Sequence, residues 1–224
     1  MVAAVRSLGR PEMACELIDD ADSCALYALS RVAETLILPM QPAGEGGDWL
    51  TADGWSSFIA RIGGTSPAGE PFHPFLHEIA AVEPADDPDE PPTVVHEWWP
   101  GCMIGSMLLL RAGVTVRAGS RYLDPVVTMT STLHWAYRRR FRPVWDLSHG
   151  WGSNSQWSTS FRRDYRLDDR YLYNVDAALD PKPEHPGGMP YNRDLDLLRF
   201  RCRTLVDDVE EQWPWENSHV EFYG

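Results

Sequence analysis

One stretch of twelve residues, 146–157, most constrains the fold because it follows neither the period of a helix nor that of a strand. It combines two tryptophans, one histidine and two glycines with Ser, Asn and Gln side chains. Large aromatic rings favour burial, whereas Gly, Ser and Asn favour turns. The stretch therefore predicts an ordered loop that places polar groups beside aromatic rings. Residues 146–165, which include its continuation, are named the central loop.

Helices are predicted where apolar residues recur at three- and four-residue steps. Thr51 and Asp124 stand where a helix would begin, and Gly63 stands where one would end. In another segment, Gly101 and Gly105 lie four residues apart and would allow a helix to pack closely against a neighbour. The predicted helices span 12–38, 51–62, 98–112, 124–140 and 192–212.

Strand composition is concentrated after the central loop. Asp168 and Asp169 separate two such segments and predict the turn of a hairpin. Residues 77–82 are a candidate short strand or helix end. The segments with strand composition are 114–118, 158–166 and 171–175.

The fold class that follows is α+β, with about five helices packed on a small antiparallel sheet. At 224 residues the chain can bury one large core, and we expect a single globular domain over residues 1–224. If the chain has a sub-boundary, it falls in the acidic, proline-rich loop 83–92, which cannot bury itself.

Composition limits the classes of partner. The net charge of −13 disfavours binding to nucleic acid or to an anionic membrane and favours a basic partner. The longest apolar run, Met103 to Leu110, is far shorter than the roughly twenty residues that a membrane span needs. No signal peptide is predicted at the amino terminus. We expect a soluble, cytoplasmic protein.

Two further features of composition indicate the source and the redox compartment. Lys182 is the only lysine beside nineteen arginines, a bias typical of a GC-rich bacterial genome. The cysteines are scattered and form no Cys-x-x-Cys pair, which predicts reduced thiols in a cytosol. They are Cys15, Cys24, Cys102 and Cys202.

No motif predicts a metal or a cofactor. His73 and His77 lie four apart, a spacing that binds zinc on a helix, but Pro74 falls inside that turn. Gly150 and Gly152 resemble the start of a dinucleotide fingerprint, but the third glycine and the strand–helix context are missing. We therefore predict neither a metal site nor a cofactor.

The central loop is the candidate site. His149 is the candidate general acid or base, because its ordinary pKa is near neutrality. Asp164 could orient it, and Arg163 could hold an anionic substrate. The alternative is a structural loop whose polar groups satisfy the backbone. The candidate binding residues are Trp151, Ser153, Asn154, Gln156, Trp157 and Arg162.

The charge distribution favours the same region. Residues 134–170 hold eight arginines and four aspartates, whereas the rest of the chain is strongly acidic. Either these arginines pair internally with acidic helices, or they form an anion-binding site.

Two hypotheses about function follow. The first is a cytosolic bacterial protein-binding module, such as an immunity-type inhibitor of a basic toxin. It rests on small size, acidity and the absence of a cofactor motif. The alternative is a small enzyme that acts on an anionic or aromatic substrate at the central loop, with His149 as general acid or base. The first hypothesis implies a basic protein partner, and the alternative implies a small anionic ligand.

Overall fold

A computed structural model describes residues 2–42, 50–131, 136, 139–142, 161–179, 193–206 and 217–223. Within these ranges the chain forms five α-helices and nine β-strands, and the strands lie in two sheets. The fold is α+β, but the expected packing of about five helices on one small antiparallel sheet is wrong. Strands replace one predicted helix, and each of the two sheets contains one parallel pair.

The helices are shorter than the apolar periodicity predicts. Two 3₁₀ turns, Pro11–Cys15 and Leu38–Met40, flank the longest helix. The α-helices are α1 (Val2–Leu8), α2 (Asp20–Leu36), α3 (Ala52–Ile62), α4 (Pro125–Thr130) and α5 (Arg193–Phe200).

The helix starts predicted at Thr51 and Asp124 are confirmed. The Thr51 hydroxyl accepts a hydrogen bond from the Gly54 N–H at 3.1 Å. The Asp124 carboxylate accepts from the N–H groups of Val126 and Val127 at 2.8 and 3.0 Å. These caps satisfy helix-end donors locally, which is why their residue types can be read from the sequence.

Two helix ends were predicted wrongly. The predicted helix 124–140 stops at Thr130, because the guanidinium of Arg142 donates to carbonyl oxygens of its last turn. The predicted helix 192–212 stops at Phe200, where the next residue adopts a left-handed conformation with φ of 63°. The backbone leaves the helical conformation at Ser131 and at Arg201, although the apolar periodicity continues past both residues.

The first sheet is mixed. Its order is β1-β5-β2, with β1 parallel and β2 antiparallel to the central strand. The acidic loop joins the two outer strands and is mostly exposed, as expected. The strands are β1 (His77–Pro84), β2 (Thr93–Trp99) and β5 (Ala112–Ala118).

The second sheet has the order β3-β4-β6-β7-β9-β8 and is antiparallel apart from its last, two-residue strand. The hairpin predicted around Asp168 and Asp169 is confirmed, since Tyr165 pairs with Leu172 across it. Its strands are β3 (Cys102–Ile104), β4 (Met107–Leu110), β6 (Asp164–Arg166), β7 (Arg170–Tyr173), β8 (Ala178–Leu179) and β9 (Asn217–Phe222).

The helix predicted over 98–112 is wrong, because this segment forms β3, β4 and the ends of two neighbouring strands. Gly105 makes the turn between β3 and β4 with φ of 57°. The Gly9 carbonyl approaches that turn and accepts from the Ser106 N–H at 2.7 Å. A short, wholly apolar run fits a buried strand as well as a buried helix, and periodicity cannot separate the two.

The second sheet is covered on both faces. Helices α1, α2 and α3 pack on one face in the largest apolar core. On the other face Tyr171 and Tyr173 of β7 meet Phe75 and Leu198 of α5 in a smaller core. The polar cluster around Tyr171, described below, lies on this second face.

Candidate functional site

Three of the nine residues predicted from the central loop lie in described parts of the chain: Arg162, Arg163 and Asp164. All three are buried. The other six lie outside the described residues, and their roles stay predictions. They are His149, Trp151, Ser153, Asn154, Gln156 and Trp157.

Arg163 ties three segments together. It makes two hydrogen bonds to the Asp176 carboxylate, at 2.8 and 2.5 Å, and a third to the Tyr165 hydroxyl at 3.0 Å. Two further bonds, of 2.8 and 2.7 Å, reach the carbonyl oxygens of Met13 and Glu16. A guanidinium has five N–H donors, so this one is fully engaged without a ligand. Arg163 therefore has no N–H donor left for an anionic substrate.

Asp164 is the shared counter-ion of a buried arginine cluster. Its Oδ1 accepts from Arg162 Nε at 2.7 Å and from the Asn174 N–H at 2.8 Å. Its Oδ2 lies 3.5 Å from Arg111 Nη2 and 4.0 Å from Arg201 Nη2. Burial, and then the neighbouring guanidinium groups, lower the pKa of Arg111 well below its ordinary value. The candidate acidic group Asp164 and the candidate basic groups Arg162 and Arg163 therefore hold the interior of the fold together.

A second polar cluster lies where β7 and β9 pair. Tyr171 stands opposite Glu221, so their side chains share one face of the sheet. Glu221 accepts from Tyr173 Oη at 2.7 Å and from Arg199 at 2.6 and 3.1 Å. His73 stacks on Tyr171 with ring centroids 4.2 Å apart. This cluster was not predicted, since it joins residues from four separate segments of the chain.

The imidazole of His73 is held in one tautomer. Its Nδ1 accepts from the Phe75 N–H at 3.1 Å, which leaves the proton on Nε2, 3.8 Å from Glu221 Oε1. Burial lowers the pKa of His73 to about 4, although Glu221 opposes that shift. The ring is thus a neutral hydrogen-bond donor and stacking partner, and the His73–His77 spacing serves packing in this fold.

A groove of about 440 Å³ opens beside this cluster. Four separate parts of the chain form it: the segment after α3, the β3–β4 turn, the β6–β7 turn and Tyr223, which follows β9. An ion pair of 2.8 Å joins Arg166 Nη1 to Glu70 Oε1 along its wall. Nothing in the sequence marks it, because its parts lie far apart in the chain. The polar and aromatic lining includes Thr65, Glu70, Ser106, Arg166, Asp168 and Tyr223.

Another candidate surface is formed by residues 12–22, which we name the acidic segment. It carries five carboxylates and no basic residue. Leu17 in its middle is 90% exposed. The Asp19 carboxylate accepts from the Asp22 N–H at 2.7 Å and so caps α2, which accounts for part of the acidity. The exposure of Leu17 has no such structural explanation.

Within the described ranges, no helix is both long and apolar enough to cross a membrane. In the same residues, no group of three or more His, Cys, Asp or Glu side chains is placed to hold a metal ion. No protein-family model matches this chain, and comparisons with characterised proteins and with solved structures found no match. A function therefore has to be argued from the geometry of its own residues.

Proposed function

We propose that this chain is a protein-binding module of the bacterial cytosol that occupies a basic protein, in the manner of an immunity-type inhibitor of a toxin. The observation that carries the proposal is Leu17, an aliphatic side chain 90% exposed within the acidic segment. Burying such a side chain in a partner's pocket is worth about 1.5–3 kcal/mol. Leu17 is the apolar anchor and the surrounding carboxylates are its charged rim.

The frame of the acidic segment supports this role. Arg163 holds the carbonyl oxygens of Met13 and Glu16, immediately before the anchor, and Asp19 caps α2 immediately after it. A side chain presented on a fixed backbone loses little conformational freedom on binding, which favours affinity.

Charge supports a basic partner. The chain carries a net charge of −13, and the acidic segment contributes five carboxylates. Complementary charge accelerates association and suppresses the binding of acidic competitors. The enzymatic alternative depends on His149, outside the described residues, and the engagement of Arg163 removes one of its expected substrate contacts.

The proposal is tested by selecting binders from a random peptide library displayed on phage, with the purified chain immobilised. We expect the selected peptides to combine Arg or Lys with aliphatic or aromatic residues. Leu17→Ser should weaken their binding about tenfold or more, the size expected for losing a buried leucine. Glu16→Gln should slow association and reduce its salt dependence.

The matched control is Val126→Ser, which alters an apolar side chain that is 71% exposed on α4. Selected peptides should bind this variant as they bind the unaltered chain. Peptides that bind the Leu17 variant unchanged, or a selection without basic peptides, would show that the acidic segment is not the binding surface.

A further inference from the structure

The groove beside the β6–β7 turn has the dimensions of a small-molecule site. Its volume of about 440 Å³ lies within the range of roughly 300–1,000 Å³ that ligand pockets occupy. Thr65, Ser66 and Ser106 line it, and a hydroxyl group can both donate and accept a hydrogen bond.

The charges in the groove do not balance. Arg166 is neutralised by Glu70, since Nη1 and Oε1 are 2.8 Å apart. Asp168 is exposed in the turn, and among the described residues it has no hydrogen-bond or ion-pair partner. Within the part of the chain that the structure describes, one carboxylate of the groove therefore has no counter-ion, which favours a ligand with a positive charge.

An aromatic ring completes the surface. Tyr223 lines the groove and is 40% exposed, and its hydroxyl donates to the Leu167 carbonyl at 2.6 Å. That bond fixes the ring while leaving part of it accessible. A cation above such a ring is stabilised by the ring's quadrupole, in addition to any carboxylate nearby.

We propose that this groove binds a small organic cation, a guanidinium or a primary ammonium group, with Asp168 as its counter-ion and Tyr223 as its aromatic wall. The free molecule and a basic side chain of a polypeptide share this chemistry. The hydroxyl groups of the groove bind the polar atoms next to the cation. The site is separate from the acidic segment and does not rest on the function proposed for it.

The experiment is a calorimetric or NMR titration of the purified chain with N-acetyl-arginine amide. The matched ligand is N-acetyl-citrulline amide, which keeps the shape and lacks the charge. We expect the arginine compound to bind at least about tenfold more tightly. Asp168→Asn should reduce that preference about tenfold, without a change in melting temperature, because this side chain is exposed.

Asp169→Asn is the control variant, since Asp169 is the neighbouring exposed aspartate, faces Arg170 and does not line the groove. It should bind within twofold of the unaltered chain, and so should Leu17→Ser. A blocked Gly-Arg-Gly tripeptide distinguishes the two sources of the cation. If it binds more tightly than N-acetyl-arginine amide, the cation belongs to a polypeptide; if the two bind equally, it belongs to a free molecule.

The proposal is overturned if arginine and citrulline compounds bind equally, or if neither binds saturably. It is also overturned if Asp168→Asn has no effect, or if Asp169→Asn weakens binding as much. Leu17→Ser leaves the groove intact. A failure of the groove proposal can therefore be distinguished from a failure of the proposed protein-binding function.

Discussion

Arg163 shows how a residue that resembles a ligand-binding group from its sequence can be a structural tie. Its five donors reach a carboxylate, a hydroxyl and two backbone carbonyl oxygens in three segments of the chain. Two of these contacts fix the backbone on which Leu17 is presented.

Arg163→Ala should therefore destabilise the fold by about 2–3 kcal/mol, the range for losing hydrogen bonds to a charged group. Asp176 remains partly solvated, which keeps the loss below that of a fully buried pair. Urea denaturation measures the change. Arg121→Ala, at an exposed ion pair with Asp89, should cost less than about 1 kcal/mol. Equal losses in the two variants would refute the structural role of Arg163.

Asp164 is buried amid Arg111, Arg162 and Arg201 and is their shared counter-ion. Of the two explanations predicted for the arginine-rich region 134–170, internal pairing accounts for Arg162 and Arg163, which pair with Asp164 and Asp176. Removing a shared counter-ion of this kind leaves buried charge unpaired, which is among the most damaging changes a core can undergo.

At the scale of the element, the β3–β4 turn depends on its glycine. Gly105 has φ of 57°, and a Cβ there would lie 2.4 Å from the Gly9 carbonyl oxygen. Gly69 also has a positive φ, of 80°, but a Cβ there would meet nothing within 4 Å. Both positions carry the strain of a left-handed backbone, but only Gly105 adds a steric contact, so comparing them separates the two effects.

Gly105→Ala should lower the free energy of unfolding by about 1–3 kcal/mol more than Gly69→Ala, because overpacking adds to the cost of the left-handed backbone. Chemical denaturation of the two variants side by side checks this. If both lose the same amount, the approach of Gly9 does not constrain the turn.

The apolar run around that turn also shows why the element was assigned wrongly. Cys102 to Leu110 is almost wholly buried, so neither a two-residue nor a four-residue alternation is visible. The strand that pairs with β4 is β6, which lies more than fifty residues further along the chain.

At the scale of the whole molecule, buried titratable groups couple stability to pH. Burial lowers the pKa of His73 to about 4 and also lowers the pKa values of His77 and His219. Burial raises the pKa of Glu34, although Arg139 acts to lower it. A raised carboxyl pKa makes stability depend on pH in the opposite direction from the lowered pKa values of the histidines.

Between pH 6.5 and 4 the unfolded chain binds a proton at His73 and the folded chain does not, so stability should fall as the pH falls. The His73 contribution is up to about 3 kcal/mol. His73→Asn keeps an acceptor for the Phe75 N–H and removes the titration. Its unfolding free energy, measured by denaturation at several pH values, should vary less over this interval. An unchanged pH dependence would assign the effect to other groups.

Local chemistry determined what could be read from the sequence. The caps at Thr51 and Asp124, the left-handed stop at Gly63 and the Asp168–Asp169 hairpin all depend on residues within a few positions of one another. The exposure of the acidic loop follows from composition in the same way.

Tertiary structure decided the rest, because it sets which distant groups meet. The early stop of α4 depends on Arg142, and the second polar cluster joins His73, Tyr171 and Glu221. The groove likewise exists only where four remote segments converge. A residue's type limits the contacts it can make, but its burial and partners are set by the packing of the two sheets, and these decided that Arg163 ties segments together while Leu17 faces solvent.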